Sequence, residues 1–282
     1  MNPKMFQNIL LGLILFLLFT SLLGFYGSIK PPKIVSTITP KELGLDYEKV
    51  TLNTADGLSL SGWFIPNETT KQTIILLHGY PADKGDVLPS LAFLNKRYNL
   101  FLFDFRYLGR SEGEYSTAGA KEIADLSSAI EYLKTRGINE VGVWGFSMGG
   151  AVALMSIPSN PEIKAVVSEA SYSSLGLMAR ELYRIPLLDY PLAWLTGVWV
   201  NLFIGVNLGS TSPEDAVRNT KIPVLIIHSK NDDVIPFKNA LLLQDALKNN
   251  PRAEFWFQEN LVHGQFDAIY QKKIGEFFLN NL

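Results

Sequence analysis

The chain is predicted to be an α/β protein, with a mostly parallel sheet covered by helices on both faces and led by an antiparallel hairpin. Three observations predict this. Short, continuous apolar runs recur along the sequence, as strands buried on both faces require. Helix-like segments separate them, so strand and helix alternate as in crossover units. At the front, two β-rich runs, Glu48–Thr54 and Leu58–Pro66, are joined by Ala55-Asp56-Gly57, which reads as a hairpin.

Taken in order, Thr73–His78 is the first fully apolar strand, followed by a helix over Val87–Arg97 and a strand at Leu100–Asp104. A helix over Ala118–Thr135, a strand at Val141–Trp144, a helix from Ser147 and a strand at Ala165–Ser168 come next. After a long interruption the alternation resumes with strand Val224–His228, helix Ala240–Lys248, strand Glu254–Phe257 and helix Phe266–Leu282. No internal repeat is visible.

Composition narrows the function classes. The 282 residues suffice for one large α/β domain and a short appendage, and 47% of them are hydrophobic. A net charge of −2 without long charged runs gives no basic stripe for nucleic acid. Cysteine is absent, which removes disulfides, thiolate metal sites and a cysteine nucleophile. Only His78, His228 and His263 are present, too few for a histidine-rich metal centre, and no cofactor is expected. The oligomeric state is not readable.

The first thirty residues read as a unit apart. Met5 to Ile29 contain no charge, a stretch long enough to span the hydrocarbon core as a helix with some tilt. Its length and the lack of an Ala-x-Ala site favour an uncleaved, single-pass anchor over a cleaved signal peptide or a core helix. Lys4 and Lys30 flank it with too little asymmetry to fix its orientation. The expected organisation is therefore an anchor over residues 1–30, a linker over 31–47 and the α/β domain over 48–282. A second uncharged stretch, Tyr190 to Pro213, falls between two strands of one sheet. A membrane span there would separate those strands, so it is read as a cap inserted at about residues 171–213, with Trp194 and Trp199 as substrate contacts.

Gly145-Phe146-Ser147-Met148-Gly149 lies where a predicted strand meets a predicted helix. A G-x-S-x-G sequence there forms a sharp, strained turn that exposes its serine. A serine hydroxyl needs a base to take its proton. His263 follows the last strand and suits that role, whereas His78, at an earlier strand end, is read as structural. A carboxylate must fix the histidine tautomer and should follow strand Val224–His228. Asp232 and Asp233 compete for it, with Asp232 preferred and Glu169 an outside candidate. Two backbone N–H groups, at Met148 and Tyr80, are the expected oxyanion hole.

With His78-Gly79, Asp104-x-Arg106-x-x-Gly109-x-Ser111-x-Gly113, Asp232-x-Val234-x-Pro236 and His263-x-x-Phe266, these motifs resemble the α/β-hydrolase superfamily. The resemblance runs from about Glu48 to the C-terminus and is to the serine-aminopeptidase-like and lysophospholipase-like branch. Ser229 stands where that branch usually has glycine. The resemblance implies a serine hydrolase acting through an acyl-enzyme. The anchor and cap favour apolar acyl esters or lysolipids, with membrane as partner. A peptidase taking a free N-terminus and an acyl-protein thioesterase are the alternatives, and a non-catalytic scaffold ranks last. A peptidase would want acidic groups for the amine, and the cap offers Glu181 and Asp189.

Overall fold

In the computed structural model, which describes residues 2–282, the apolar runs become the strands of one sheet. Among the described residues the elements are helix α1 (Pro3–Ile29), strands β1 (Glu48–Asn53), β2 (Ser59–Ile65) and β3 (Thr73–Leu77), helix α2 (Lys84–Leu91) and strand β4 (Asn99–Phe103). Helix α3 (Glu122–Thr135), strand β5 (Val141–Phe146), helix α4 (Met148–Ser156) and strand β6 (Ile163–Glu169) follow. The cap contains α5 (Leu175–Glu181) and α6 (Asp189–Ile204), and a short α7 (Pro213–Val217) leads back to β7 (Val224–Ser229). Helix α8 (Lys238–Ala246), strand β8 (Ala253–Gln258) and helix α9 (Tyr270–Asn281) complete the chain.

The sheet order is β1-β2-β4-β3-β5-β6-β7-β8. β1, β2 and β4 pair antiparallel; from β4 through β3 to β8 every pairing is parallel. All residues of β3, β4 and β7 are buried, which explains why these strands read as continuous apolar runs rather than alternating ones. Successive side chains go to opposite faces. Ile75, Val143, Val166 and Ile226 pack with α3, α4 and α8 on one face. Ile74, Trp144, Val167 and Leu225 pack with α2 and α9 on the other.

Several helices start or stop away from their predicted limits, for local reasons. The helix predicted over Val87–Arg97 begins earlier, at Lys84, because the Asp83 side chain accepts the Gly85 N–H and caps it. It gives way to a 3-10 turn at Ala92. The helix predicted from Ala118 begins at Glu122, because residues 116–119 instead wrap around the buried Glu122 carboxylate, which accepts from Ser116 Oγ and from the Thr117 and Gly119 amides. The last helix begins at Tyr270 rather than Phe266, the intervening residues extending the His263 loop.

A buried ion pair ties the leading hairpin to the parallel sheet. Asp104, just beyond β4, accepts the Lys84 ammonium at 2.6 Å and also the Lys84 and Arg110 amides. Lys84 lies 4.6 Å over the Trp63 ring. Arg106 is gripped by the buried Asp125 and by Asp56 of the hairpin turn. These contacts give the Asp104–Gly113 motif a structural purpose, away from the chemistry. Removing one partner leaves a charge buried alone. We therefore expect Asp104→Ala to destabilise the fold by about 3–5 kcal/mol, read as a shift in urea midpoint against wild type. A loss under about 1 kcal/mol would mean that the pair behaves as a surface bridge.

Candidate active site

β5, β7 and β8 run parallel, so their carboxyl ends share one edge of the sheet, where α/β folds carry their ligand sites. The predicted nucleophile, acid and base leave that edge from these three strands. Ser147 occupies the single residue between β5 and α4 at φ 54° and ψ −116°. Glycine tolerates such a conformation freely, but a serine does not, so the turn is strained and must be held by its surroundings. The glycines on either side show how. A Cβ on Gly145 would collide with the backbone of Gly149, and one on Gly149 would come within 2.6 Å of the Leu77 and His78 carbonyls. The Ser147 amide donates to Glu169 O at 2.8 Å, fixing the turn to β6.

Across the edge, His263 Nδ1 donates to Asp232 Oδ2 at 2.8 Å. The other carboxylate oxygen of Asp232 accepts from the Val234 and Ile235 amides at 2.9 and 2.7 Å. Burial opposes ionisation of Asp232, but the His263 contact and these two amides outweigh it and hold its carboxyl below the usual range. Asp233 has a separate place: its Oδ1 accepts the backbone N–H of His263 at 3.2 Å, fastening the histidine loop without touching the ring. The imidazole packs 4.7 Å from the Phe146 ring, centroid to centroid, which sets it beside the residue preceding Ser147. The Met148 and Tyr80 amides have no protein acceptor among the described residues. Met148 opens α4, whose first N–H groups are free by helix geometry.

Ser147 and Met148 border a cavity of about 200 Å³. Its wall is formed by Leu175, Met178, Ala179 and Leu182 of the first cap helix and its end, and by Thr196, Val200 and Ile204 of α6. Tyr80, Tyr172, Val234 and Ile235 line the body side. Among the described residues no charged one lines it.

Comparison with known proteins places this architecture. The profile of the family described as alpha/beta hydrolase fold matches residues 72–198. The esterase Pf2001 of Pyrococcus furiosus superposes with a TM-score of 0.74 at 30% identity, over 89% of this chain and 99% of that one. The chain belongs to the α/β-hydrolase superfamily. YfhR of Escherichia coli O157:H7 is 32% identical over 217 residues, 73% of this chain and 70% of the relative. The alpha/beta hydrolase domain-containing protein WAV2 of Arabidopsis thaliana is 29% identical over 230 residues, 77% of this chain and 72% of the relative.

Two expectations about this hydrolase fold need correcting. Trp194 and Trp199 do not line the cavity. The face of α6 that does so is Thr196, Val200 and Ile204, a regular four-residue spacing, and the helix turns Trp194 outward at 63% exposure. Trp199 points to α1, donating its indole N–H to Ser21 Oγ at 3.0 Å. Nor do the first thirty residues stand apart: Ser21, Phe25 and Ile29 are buried, and Ser28 and Ile29 line the cavity. Their four-residue spacing was present in the sequence, but within a helix apolar on every side it carries no signal of its own.

Glu169 is the site residue that the sequence left least explained. It is buried at the end of β6 and hydrogen-bonded to the Tyr270 hydroxyl. Burial pushes its carboxyl up from the usual 4.5 to about 8, the Tyr270 contact opposing and the Asp232 charge adding to the rise. It cannot serve as the imidazole's anionic partner while it holds its proton. The folded chain retains that proton from about pH 4.5 to about pH 8 while the unfolded chain releases it, so stability falls as pH rises through this window. Glu169→Gln should flatten that fall, measured as the difference in melting temperature between pH 5 and pH 8; an unchanged slope would show that Glu169 ionises normally. In activity, Asp232→Asn should cost about 10⁴-fold in kcat, as loss of a histidine's anionic partner does, and Asp233→Asn far less. The reverse order in ester turnover would move the acid by one residue.

Proposed function

We propose that the chain is a membrane-anchored serine hydrolase that cleaves carboxylic esters of apolar acyl groups, with single-chain lipid esters as the substrate class. The observation that carries this reading is the uncharged cavity opening directly on Ser147, at the edge where Asp232 holds His263 by Nδ1. The similarity to an esterase over nearly the whole length of Pf2001 supports the reaction type.

On this reading Asp232 keeps the His263 proton on Nδ1, leaving Nε2 free to accept. As Ser147 Oγ attacks the ester carbonyl, Nε2 takes its proton, and the oxyanion is met by the Met148 and Tyr80 amides. The tetrahedral intermediate expels the alcohol, which leaves with the proton from His263. Water, giving its proton to the same imidazole, then attacks the acyl carbonyl; the Oγ–acyl bond breaks, the carboxylic acid is released, and His263 returns the proton to Ser147 Oγ. The acyl chain lies along Met178, Leu182 and Val200, where each buried methylene contributes about 0.8 kcal/mol.

The peptidase alternative, part of the branch that the motifs resemble, finds less support. A free amino terminus would want a carboxylate in the cavity, and none of the described residues supplies one there. Glu181 is paired with Lys238 at 3.0 Å and Asp189 with Arg180 at 3.0 Å, so neither acid of the cap is available. The lysophospholipase-like side of the branch is therefore preferred.

Helix α1 is the proposed anchor. At about 1.5 Å per residue its 27 residues extend about 40 Å, more than the hydrocarbon thickness of about 30 Å. A mean hydropathy of 2.5 over its most apolar 18 residues and the exposure of Leu11, Leu15, Phe19 and Leu23 support lipid as its surroundings.

An alkyl fluorophosphonate should label Ser147 in the full chain, and Ser147→Ala should abolish both labelling and turnover. The residual rate should be about 10³–10⁴-fold over water, the share of binding and the oxyanion hole. p-Nitrophenyl esters should be cleaved and aminoacyl anilides left intact. Retention of a tenth of wild-type activity in Ser147→Ala, or preference for anilides, would overturn the proposal.

A further inference from the structure

The end of α1 is built into the site. Tyr80 Oη donates to Ser28 O at 2.9 Å, the Ser116 amide donates to Ile29 O at 2.9 Å, and Tyr107 Oη donates to Pro31 O at 2.9 Å. Ser28 and Ile29 themselves border the cavity. Thus the loop that carries the Tyr80 amide is fastened by its own side chain to the last turn of α1.

The cap is fitted to α1 as well. Ser21 faces Thr196 and Trp199, and Phe25 stacks on Phe203 at 5.8 Å, so the residue numbers of the two helices rise together and α1 and α6 run parallel. Gly24 leaves no room for a Cβ because the Tyr183 ring sits against it. Phe25 and Ile29 form one apolar cluster with Val200, Ile204 and Val206. The outward side of α6, Tyr190, Trp194, Val198 and Leu202 at four-residue intervals, is exposed and wholly uncharged. It continues, across the α1–α6 seam, the exposed apolar surface of α1. An apolar surface of this extent on a monomer marks a lipid or protein partner, and its continuity with the anchor helix selects lipid.

We infer that α1 and α6 enter the membrane as a pair and that the last turn of α1 is a substrate-contacting wall, so that the acyl chain passes to Ser147 from the bilayer. The inference rests on the acyl-ester reading above and adds to it the source of the substrate and the residues that measure its chain. Ser28 and Ile29 set the acyl-chain preference together with Val200 and Ile204, and the outer stripe of α6 holds the cavity at the lipid surface.

The test uses the full-length chain in phosphatidylcholine vesicles with p-nitrophenyl butyrate and p-nitrophenyl laurate. Ser28→Trp and Ile29→Trp, which fill the cavity, should lower the laurate-to-butyrate ratio of kcat/KM at least tenfold. Leu15→Trp, on the exposed side of α1 away from the cavity, should leave the ratio as in wild type. Ile29→Ala, which opens the wall instead of filling it, covers the case in which a tryptophan variant fails to fold, and should also weaken the preference for laurate. The absence of native cysteine allows single labels, and a nitrobenzoxadiazole probe at Leu202→Cys should blue-shift on vesicle binding while one at Arg218→Cys does not. A wild-type laurate-to-butyrate ratio in all three variants at positions 28 and 29, or equal quenching of the two probes by aqueous iodide, would overturn the inference with the esterase reading intact. If wild type cleaves neither ester, both readings fall.

Discussion

The contact on which the site depends is the approach of α4 to the end of β3. Gly149 presses its backbone against the Leu77 and His78 carbonyls so closely that a single methyl group would force them apart. That approach allows the chain to leave β5, turn within one residue and enter α4 with the Met148 amide directed outward. It also requires Ser147 to take a positive φ, a conformation of order 1–3 kcal/mol above the ordinary ones. The cost is offset by the strands beneath, since β3, β5 and β6 are paired in parallel up to this edge, with Ile74–Leu77, Val143, Trp144 and Ala165–Val167 all buried. A rigid sheet therefore holds a strained turn, and the strained turn holds a hydroxyl clear of its own backbone.

All three histidines of the chain lie at or near this edge, and their hydrogen bonds separate them. His78 is buried, with Nδ1 donating to Gly79 O and Nε2 accepting from the Phe105 amide, so both ring nitrogens are committed to loops. Burial pushes its pKa down, in keeping with a neutral ring. His228 is buried too, its Nε2 donating to Ile235 O. It braces the loop that carries Asp232 and stands 3.7 Å from that carboxylate. His263 alone combines a carboxylate on Nδ1 with an Nε2 that no protein group among the described residues occupies. The chemistry of a general base is thus available at one position, and the other two imidazoles serve the geometry around it.

Much of this was readable from residue order because strand burial and tight turns leave strong local marks. β3, β4 and β7 announce themselves as unbroken apolar runs, and Gly145-x-Ser147-x-Gly149 names its own turn. The limits of helices were less readable, since they are decided by distant partners: α3 waits for the Glu122 carboxylate to gather the amides before it. The division of labour between Asp232 and Asp233 likewise needed three dimensions, because adjacent aspartates in a turn differ only in where the turn points them. In the cap the apolar residues were evident, but not which face of α6 meets the cavity. Every position from 190 to 206 is uncharged and most are apolar, and where hydrophobicity is this uniform its period carries no information.

That uniformity has a physical consequence for the cap. A helix with one packed face and one solvated face shows one apolar stripe, whereas α6 presents apolar side chains on three sides: Val200 and Ile204 to the cavity, Trp199 and Phe203 to α1, Trp194 and Leu202 outward. Only the first two find partners within the described chain. Were α1 absent, Phe25 and Ile29 would uncover the second side as well, at about 25 cal/mol for each Å² exposed to water. The same two helical turns would also leave the cavity without part of its wall. The helix that Leu11, Leu15, Phe19 and Leu23 suit to lipid thus also completes, through Ser28 and Ile29, the apolar space beside Ser147. A chain built in this way ties the shape of its cavity to the packing of its N-terminal helix.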